Sequence, residues 1–375
     1  PDRTEIPPSP DVAALVKDYK GKAALADAEA FDPSPSNIDS RTKTGTVPGG
    51  AKYAMLNKTT RGNSVNMQIT LRIGTEATLQ NKTATADLTA DMLDKGTKTK
   101  TRQQIQDEFD KLKASVSFSG SGQGVNISIQ TTKENLGATL KLVTEVLRQP
   151  AFPADEFDKL IQENLSSIEQ SRSEPQAIAS IMQQRILNPY PKNDFRYAMN
   201  FDEMTEAYKN AKLEDVKKFY TDFYQSGNAT VGIVGAFDEE GVKKALNDML
   251  SNWTAPQKYA RAKYNYNDIA AKNEKINTPD KANANMMAGF NLNLRDDDAE
   301  YMNLIMGNYM LGGGFLNSRL ATRIRQKEGI SYGVGSWLSA DPIDKSGSFG
   351  SYAIYNPDNS AKDRKSTRLN SSHRT

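Results

Sequence analysis

Cysteine is absent from this chain, and histidine occurs once, at His373, in 375 residues. No disulfide or thiol chemistry is available, and the lack of cysteine does not fix a compartment. With its one histidine near the end, the body of the chain cannot assemble a Ser-His-Asp triad, a Cys-His dyad or a His-rich metal site. An excess of charge of one sign is also lacking. Lys and Arg number 48 against 46 Asp and Glu, so no polyanionic partner such as nucleic acid is implied. Charged residues make up 25% of the chain, and no apolar run approaches the ~20 residues of a membrane span. The chain starts at Pro1 without a methionine or signal peptide, and it reads as a piece of a longer protein.

What is present is organised around Leu311–Val334, LGGGFLNSRLATRIRQKEGISYGV. After the glycines, Leu316, Leu320 and Ile324 recur every fourth residue, which predicts one helix face. Gly329 should end that helix, since glycine tolerates the left-handed closing conformation. Arg325 falls in its last turn, and Tyr332 follows seven residues on in a β-like segment. If the chain doubles back there, a guanidinium fork and a phenol hydroxyl point at one spot, which suits a carbonyl oxygen or a developing oxyanion. The structural alternative is that Arg325 favours the negative end of a helix and Tyr332 packs in the core. The glycines do not match GxGxxG, and no P-loop lysine follows, so a nucleotide cradle has little support. Close approach of a helix to a sheet is the simpler use of them.

In chain order, residues 1–44 are rich in Pro, Asp, Ala and Ser and read as an extended linker, with one short helix over Val12–Tyr19. Val65, Met67, Ile69, Leu71 and Ile73 alternate with polar residues as a half-buried strand. Helices are expected over Thr83–Leu93, Thr101–Ala114, Asn135–Leu147, from Pro153, from Pro175 to Leu187, and over Leu213–Tyr224, with a hairpin around Gly120–Gly124. Residues 254–274 are polar and read as a linker. A second unit then begins with a strand at Met286, followed by a helix at Asp297 (with Tyr301, Leu304, Ile305 and Leu311 inward) and a last strand over Ser348–Tyr355. Met67 and Met286 lie 219 residues apart, while Leu93 and Leu311, and Val116 and Val334, lie 218 apart. Three landmarks whose offsets agree to within one residue indicate an internal duplication. The final ten residues, STRLNSSHRT, break the pattern and resemble translated sequencing-adaptor read-through, which would make His373 foreign to the protein.

GGGFLNSRLATRIRQKEGISYGV, FYTDFYQSGNATVGIVGAFDEE and the paired α+β copies resemble the insulinase or pitrilysin-type zinc metallopeptidases, whose inverted motif is His-x-x-Glu-His. The resemblance spans roughly residues 1–365. It implies an α+β fold of two homologous α/β-sandwich domains of the insulinase and mitochondrial-processing-peptidase type, the second truncated. In such proteins four domains form two bowl-shaped halves around a chamber. The first binds zinc and the fourth supplies an arginine and a tyrosine. This chain resembles the silent third domain over residues 45–254, a linker over 255–274 and a truncated fourth domain over 275–365, with 366–375 an artefactual tail.

The departures from the family pattern are specific. Asp87 and Asp91 stand where the motif has histidines, and Ala90 stands where it has the glutamate base. The third ligand position falls near Ser166 or Ser167. Two aspartates at i and i+4 share a helix face, but calcium wants six or more oxygens. No metal is therefore expected within this chain. The resemblance implies the C-terminal half of a zinc-dependent endopeptidase acting on peptides or unfolded polypeptides. Arg325 and Tyr332 would be its catalytic and substrate-binding pair, with zinc bound outside this chain. The expected partners are a peptide substrate and the N-terminal half of the same protein or a zinc-bearing subunit. By itself the fragment should be inactive. The alternative is a non-catalytic scaffold or partner subunit of the same fold. The compartment is not set by the sequence; a bacterial envelope or periplasmic location follows only from family habit.

Overall fold

Two sheets of unequal size organise the molecule. The computed structural model describes residues 27–278 and 280–359, together with Lys17. The first sheet has six strands: β1 (Thr42–Thr46), β2 (Lys52–Asn57), β3 (Ser64–Arg72), β4 (Ser115–Ser121), β5 (Gly124–Thr132) and β6 (Thr230–Gly235). Their order is β1-β2-β6-β3-β5-β4, with β2 and β6 parallel and the other neighbours antiparallel. On β3, Val65, Met67, Ile69 and Leu71 are all buried. Ile69 lies opposite Ile127 on one side and Val231 on the other. A slip of one residue would turn this whole apolar set to solvent, so the alternation in the sequence also sets the register.

Helices in the first unit are α1 (Pro35–Arg41), α2 (Thr83–Asp91), α3 (Arg102–Lys111), α4 (Lys133–Arg148), α5 (Ala154–Arg172), α6 (Pro175–Leu187), α7 (Phe201–Lys209), α8 (Leu213–Phe223) and α9 (Glu239–Leu250). Leu136, Leu140, Val143 and Leu147 bury one face of α4, as their spacing predicts. Thr101 and Gln104 close a capping box on α3. Pro153 is the N-cap of α5, and Pro175 occupies the first turn of α6. Sequence periodicity alone misses α7, yet Asn200 and Glu203 form a capping box at its start. The linker expected over residues 1–44 is shortened by α1 and β1, since β1 pairs with β2 along its whole length. Apart from Lys17, the helix expected over Val12–Tyr19 lies outside the described residues, as do residues 366–375.

The second unit has β7 (Ala284–Leu292), α10 (Tyr301–Asn308), β8 (Ser331–Ala340) and β9 (Gly347–Tyr355). Its sheet order, β7-β9-β8, is antiparallel throughout and repeats β3-β5-β4. The alternation on β7 does not give a buried face: Phe290 is 54% exposed. Leu304, expected inward, is 40% exposed. Between the units, residues 251–278 have neither helix nor strand. Side chains hold this segment by its backbone. Gln225 Nε2 donates to the Gln257 carbonyl (2.7 Å) and Gln123 Nε2 to that of Ala260 (2.9 Å), while Gln123 Oε1 accepts from the Ala262 amide (2.6 Å). Asn291 Nδ2 donates to the Asn267 carbonyl (3.0 Å).

Candidate functional site

The organising stretch departs from one continuous helix. Tyr309–Gly313 widens into a π-type turn, Phe315–Asn317 forms a short 3-10 turn, and Ser318 is extended before a second wide turn over Ala321–Lys327. Leu320 and Ile324 are buried as expected, but Leu316 is 36% exposed because the break at Ser318 rotates it off their face. The glycines are packing residues. A Cβ on Gly312 would come within 2.6 Å of the Ser336 backbone nitrogen on β8, so only glycine allows this approach. Gly329, at φ +63°, closes the turn, and the Ile330 amide bonds back to the Ile324 carbonyl (3.1 Å).

This reversal brings Arg325 and Tyr332 together. The Arg325 guanidinium carbon lies 5.0 Å from the centre of the Tyr332 ring. Tyr332 sits where the β8–β9 pairing slips between Ser331 and Gly333. A bulge of this kind leaves one residue unpaired and re-aims its side chain. The Ser331 hydroxyl serves the Gly333 and Ile354 carbonyls at the slip, at 2.9 and 2.7 Å. Tyr332 is thereby turned outward, 82% exposed, not packed in a core. Neighbouring Arg323 is engaged by Glu328 at 2.6 Å. Among the described residues the Arg325 side chain has no carboxylate partner and no hydrogen bond, so its donors are uncommitted except for the ring.

Of the other predicted positions, Ser166 and Ser167 are exposed on α5, while those on α2 lie against β4. Ala90 is fully buried, and a Cβ on Gly120 of β4 would come within 2.8 Å of its own Cβ. Asp87 and Asp91 flank it on α2. Burial, and then the charge of Asp91, pushes the Asp87 carboxyl up to about 7. Burial also raises Asp91, with Lys95 opposing and Asp94 adding. Both acids act on two tyrosines unforeseen from sequence. Burial and the two carboxylates push Tyr208 up to about 12, and Tyr224 is raised well above its ordinary value. The Tyr224 hydroxyl has no hydrogen-bond partner among the described residues. Two carboxyls, one of them partly neutral at pH 7, and an alanine in place of a base do not fit zinc. No three His, Cys, Asp or Glu side chains converge among the described residues.

Residues 53–189 match the family model described as insulinase (peptidase family M16), and residues 210–369 match the model described as the peptidase M16 inactive domain. The chain belongs to the insulinase family. Among M16 relatives, an uncharacterized zinc protease of Rickettsia bellii is 26% identical over 298 residues, covering 78% of this chain and 68% of that protein. The non-peptidase homolog YmxG of Helicobacter pylori is 22% identical over 269 residues, covering 72% of this chain and 60% of that one. Among solved structures, the peptidase M16 inactive domain from Pseudomonas fluorescens superposes with a TM-score of 0.76 at 23% identity, covering 88% of this chain and 77% of that chain. The periplasmic protease PqqL from Escherichia coli gives 0.67 at 14% identity, covering 93% of this chain but 38% of its own. These likenesses establish the M16 α+β fold. No helix among the described residues is long and apolar enough to cross a membrane.

Proposed function

We propose that this chain is the substrate-gripping lobe of an M16 metalloendopeptidase whose zinc centre lies in a separate lobe. The observation that carries this reading is the Arg325–Tyr332 pair. Its two donors are drawn together by a glycine-closed turn and a bulge, held outward, and left without a carboxylate partner. A planar fork and a hydroxyl so placed can donate to a peptide carbonyl as it gains negative charge, and one such donor is worth about 100- to 1,000-fold in rate. Residue 90 is sealed, so no general base is available at the motif position of this chain. Zinc-activated water would be supplied by the other lobe, in cis or in trans. The 38% share of PqqL that this chain spans supports a protein of two such lobes, and that relative's periplasmic description supports an envelope location.

In the protein that joins both lobes, Arg325→Ala or Tyr332→Phe should lower kcat by about 100-fold or more at unchanged zinc content. Wild-type turnover in both variants would refute the reading. A non-catalytic partner subunit is the second reading, favoured by the closed contact of Ala90 with Gly120 and by the likeness to the non-peptidase YmxG. A His-x-x-Glu-His stretch upstream or in an adjacent reading frame selects the enzyme, and its absence from both selects the subunit.

A further inference from the structure

A cavity of about 530 Å³ lies between α6 and the sheet of the second unit. Gln176, Gln183 and Gln184 face it from α6, Asn285 from β7, and Trp337 and Tyr352 from β8 and β9. No charged side chain lines it, although a quarter of the chain is charged. The two rings lie flat on the sheet: Trp337 fills the space that a Cβ on Gly350 would need, and Tyr352 that of Gly335. Gln183 Nε2 is buried without a hydrogen-bond partner among the described residues. A second cavity of about 290 Å³ adjoins the first, sharing Leu187, Asn188 and Asn291. The Tyr190 hydroxyl on its wall is likewise buried and unpartnered. Buried polar atoms left unpaired are costly, and two of them lie along one cleft.

The chain itself shows what this lining can hold. Asn291 Nδ2 donates to two backbone carbonyls, Leu187 and Asn267, each at 3.0 Å. Asn188 Nδ2 donates to the Arg196 carbonyl (2.6 Å), and its Oδ1 accepts from the Tyr190 amide (3.1 Å). The interunit segment is a backbone without helix or strand that carboxamides hold, and it runs into the smaller cavity at Tyr264–Asn267. A carboxamide presents one donor side and one acceptor side, the complement of a peptide group. We infer that the larger cavity continues this track and takes an extended, uncharged polypeptide segment. Gln183 and its neighbours would bond the backbone, and Trp337 and Tyr352 would pack its side chains. The inference deepens the peptidase reading and rests on it for the class of ligand.

The test is binding to this chain, not cleavage, so the two ideas can fail separately. Trp337 is one of two tryptophans, the other being the buried Trp253, and it reports from the cavity. A capped, uncharged hexapeptide of Gly, Ser and Asn should change its fluorescence saturably, and Trp337→Phe should abolish the change. Affinity should fall about tenfold in Gln183→Ala, and also in exposed Gln184→Ala, which guards against a folding defect. Gln106→Ala, on the outside of α3, should leave it unmoved. No saturable change with the peptide, equal affinity in both cavity variants, or equal binding of a neutral oligosaccharide such as maltohexaose would overturn the proposal. If peptide binding fails while the Arg325 and Tyr332 variants still slow cleavage, only the cavity assignment falls.

Discussion

Tyr332 owes its position to two buried residues and one exposed glycine. Gly312 lets the preceding turn lie on β8, Gly329 reverses the chain, and Ser331 holds the slipped pairing. The same scale decides the fate of Asp87. Its carboxyl titrates at about 7 when folded against 3.8 as the ordinary value, so the folded chain keeps a proton that the unfolded chain has already lost. Stability should therefore fall as pH rises from about 4 through 7 and level off above. Asp87→Asn should remove this slope and stabilise the chain at pH 8 by on the order of 1–3 kcal/mol, measured by urea unfolding across pH. A flat wild-type profile would show that the carboxyl is solvated.

At the scale of elements, α4 is tied to the loop after α2 through Glu145. Burial alone would raise that carboxyl, but hydrogen bonds from Thr97, Thr99 and Lys100 hold it down at about 2. This contribution is present above about 4.5 and is lost as pH falls toward 2. Glu145→Gln should cost about 1–3 kcal/mol at pH 7, with the gap from wild type closing near pH 2 in thermal melts. Such elements were largely legible beforehand. The alternation on β3, the four-residue spacing on α4 and the prolines before α5 and α6 each have a local physical cause. The π-type turns were not legible, because Leu316, Leu320 and Ile324 keep helical spacing across the break at Ser318. The proximity of Arg325 and Tyr332 could be anticipated from the glycine between them, but the bulge that exposes the tyrosine depends on pairing with β9. The carboxamide cleft left no periodic trace at all, since its residues come from α6, β7 and the interunit segment.

For the whole molecule, the coupling of the two units runs through a polar strap. Asp344, buried on the β8–β9 connection, receives both Arg261 nitrogens (3.2 and 2.6 Å) and the Tyr264 amide (2.7 Å). Its carboxyl is held below the usual range by Arg261 first, with burial opposing. Asp344→Asn should speed hydrogen exchange of backbone amides over residues 260–267 by about tenfold or more while β3 and β5 keep their protection. Unchanged exchange there would mean that the carboxamide bonds alone secure the strap.

The contact of Ala90 with Gly120 reaches further than one position. Histidines at 87 and 91 with a glutamate at 90 would restore the letters of the motif without re-arming the chain. The acid would have to enter volume already claimed by a neighbouring strand, and β4 must first step aside. A motif glutamate at this helix is opposed by packing as well as by the letters present.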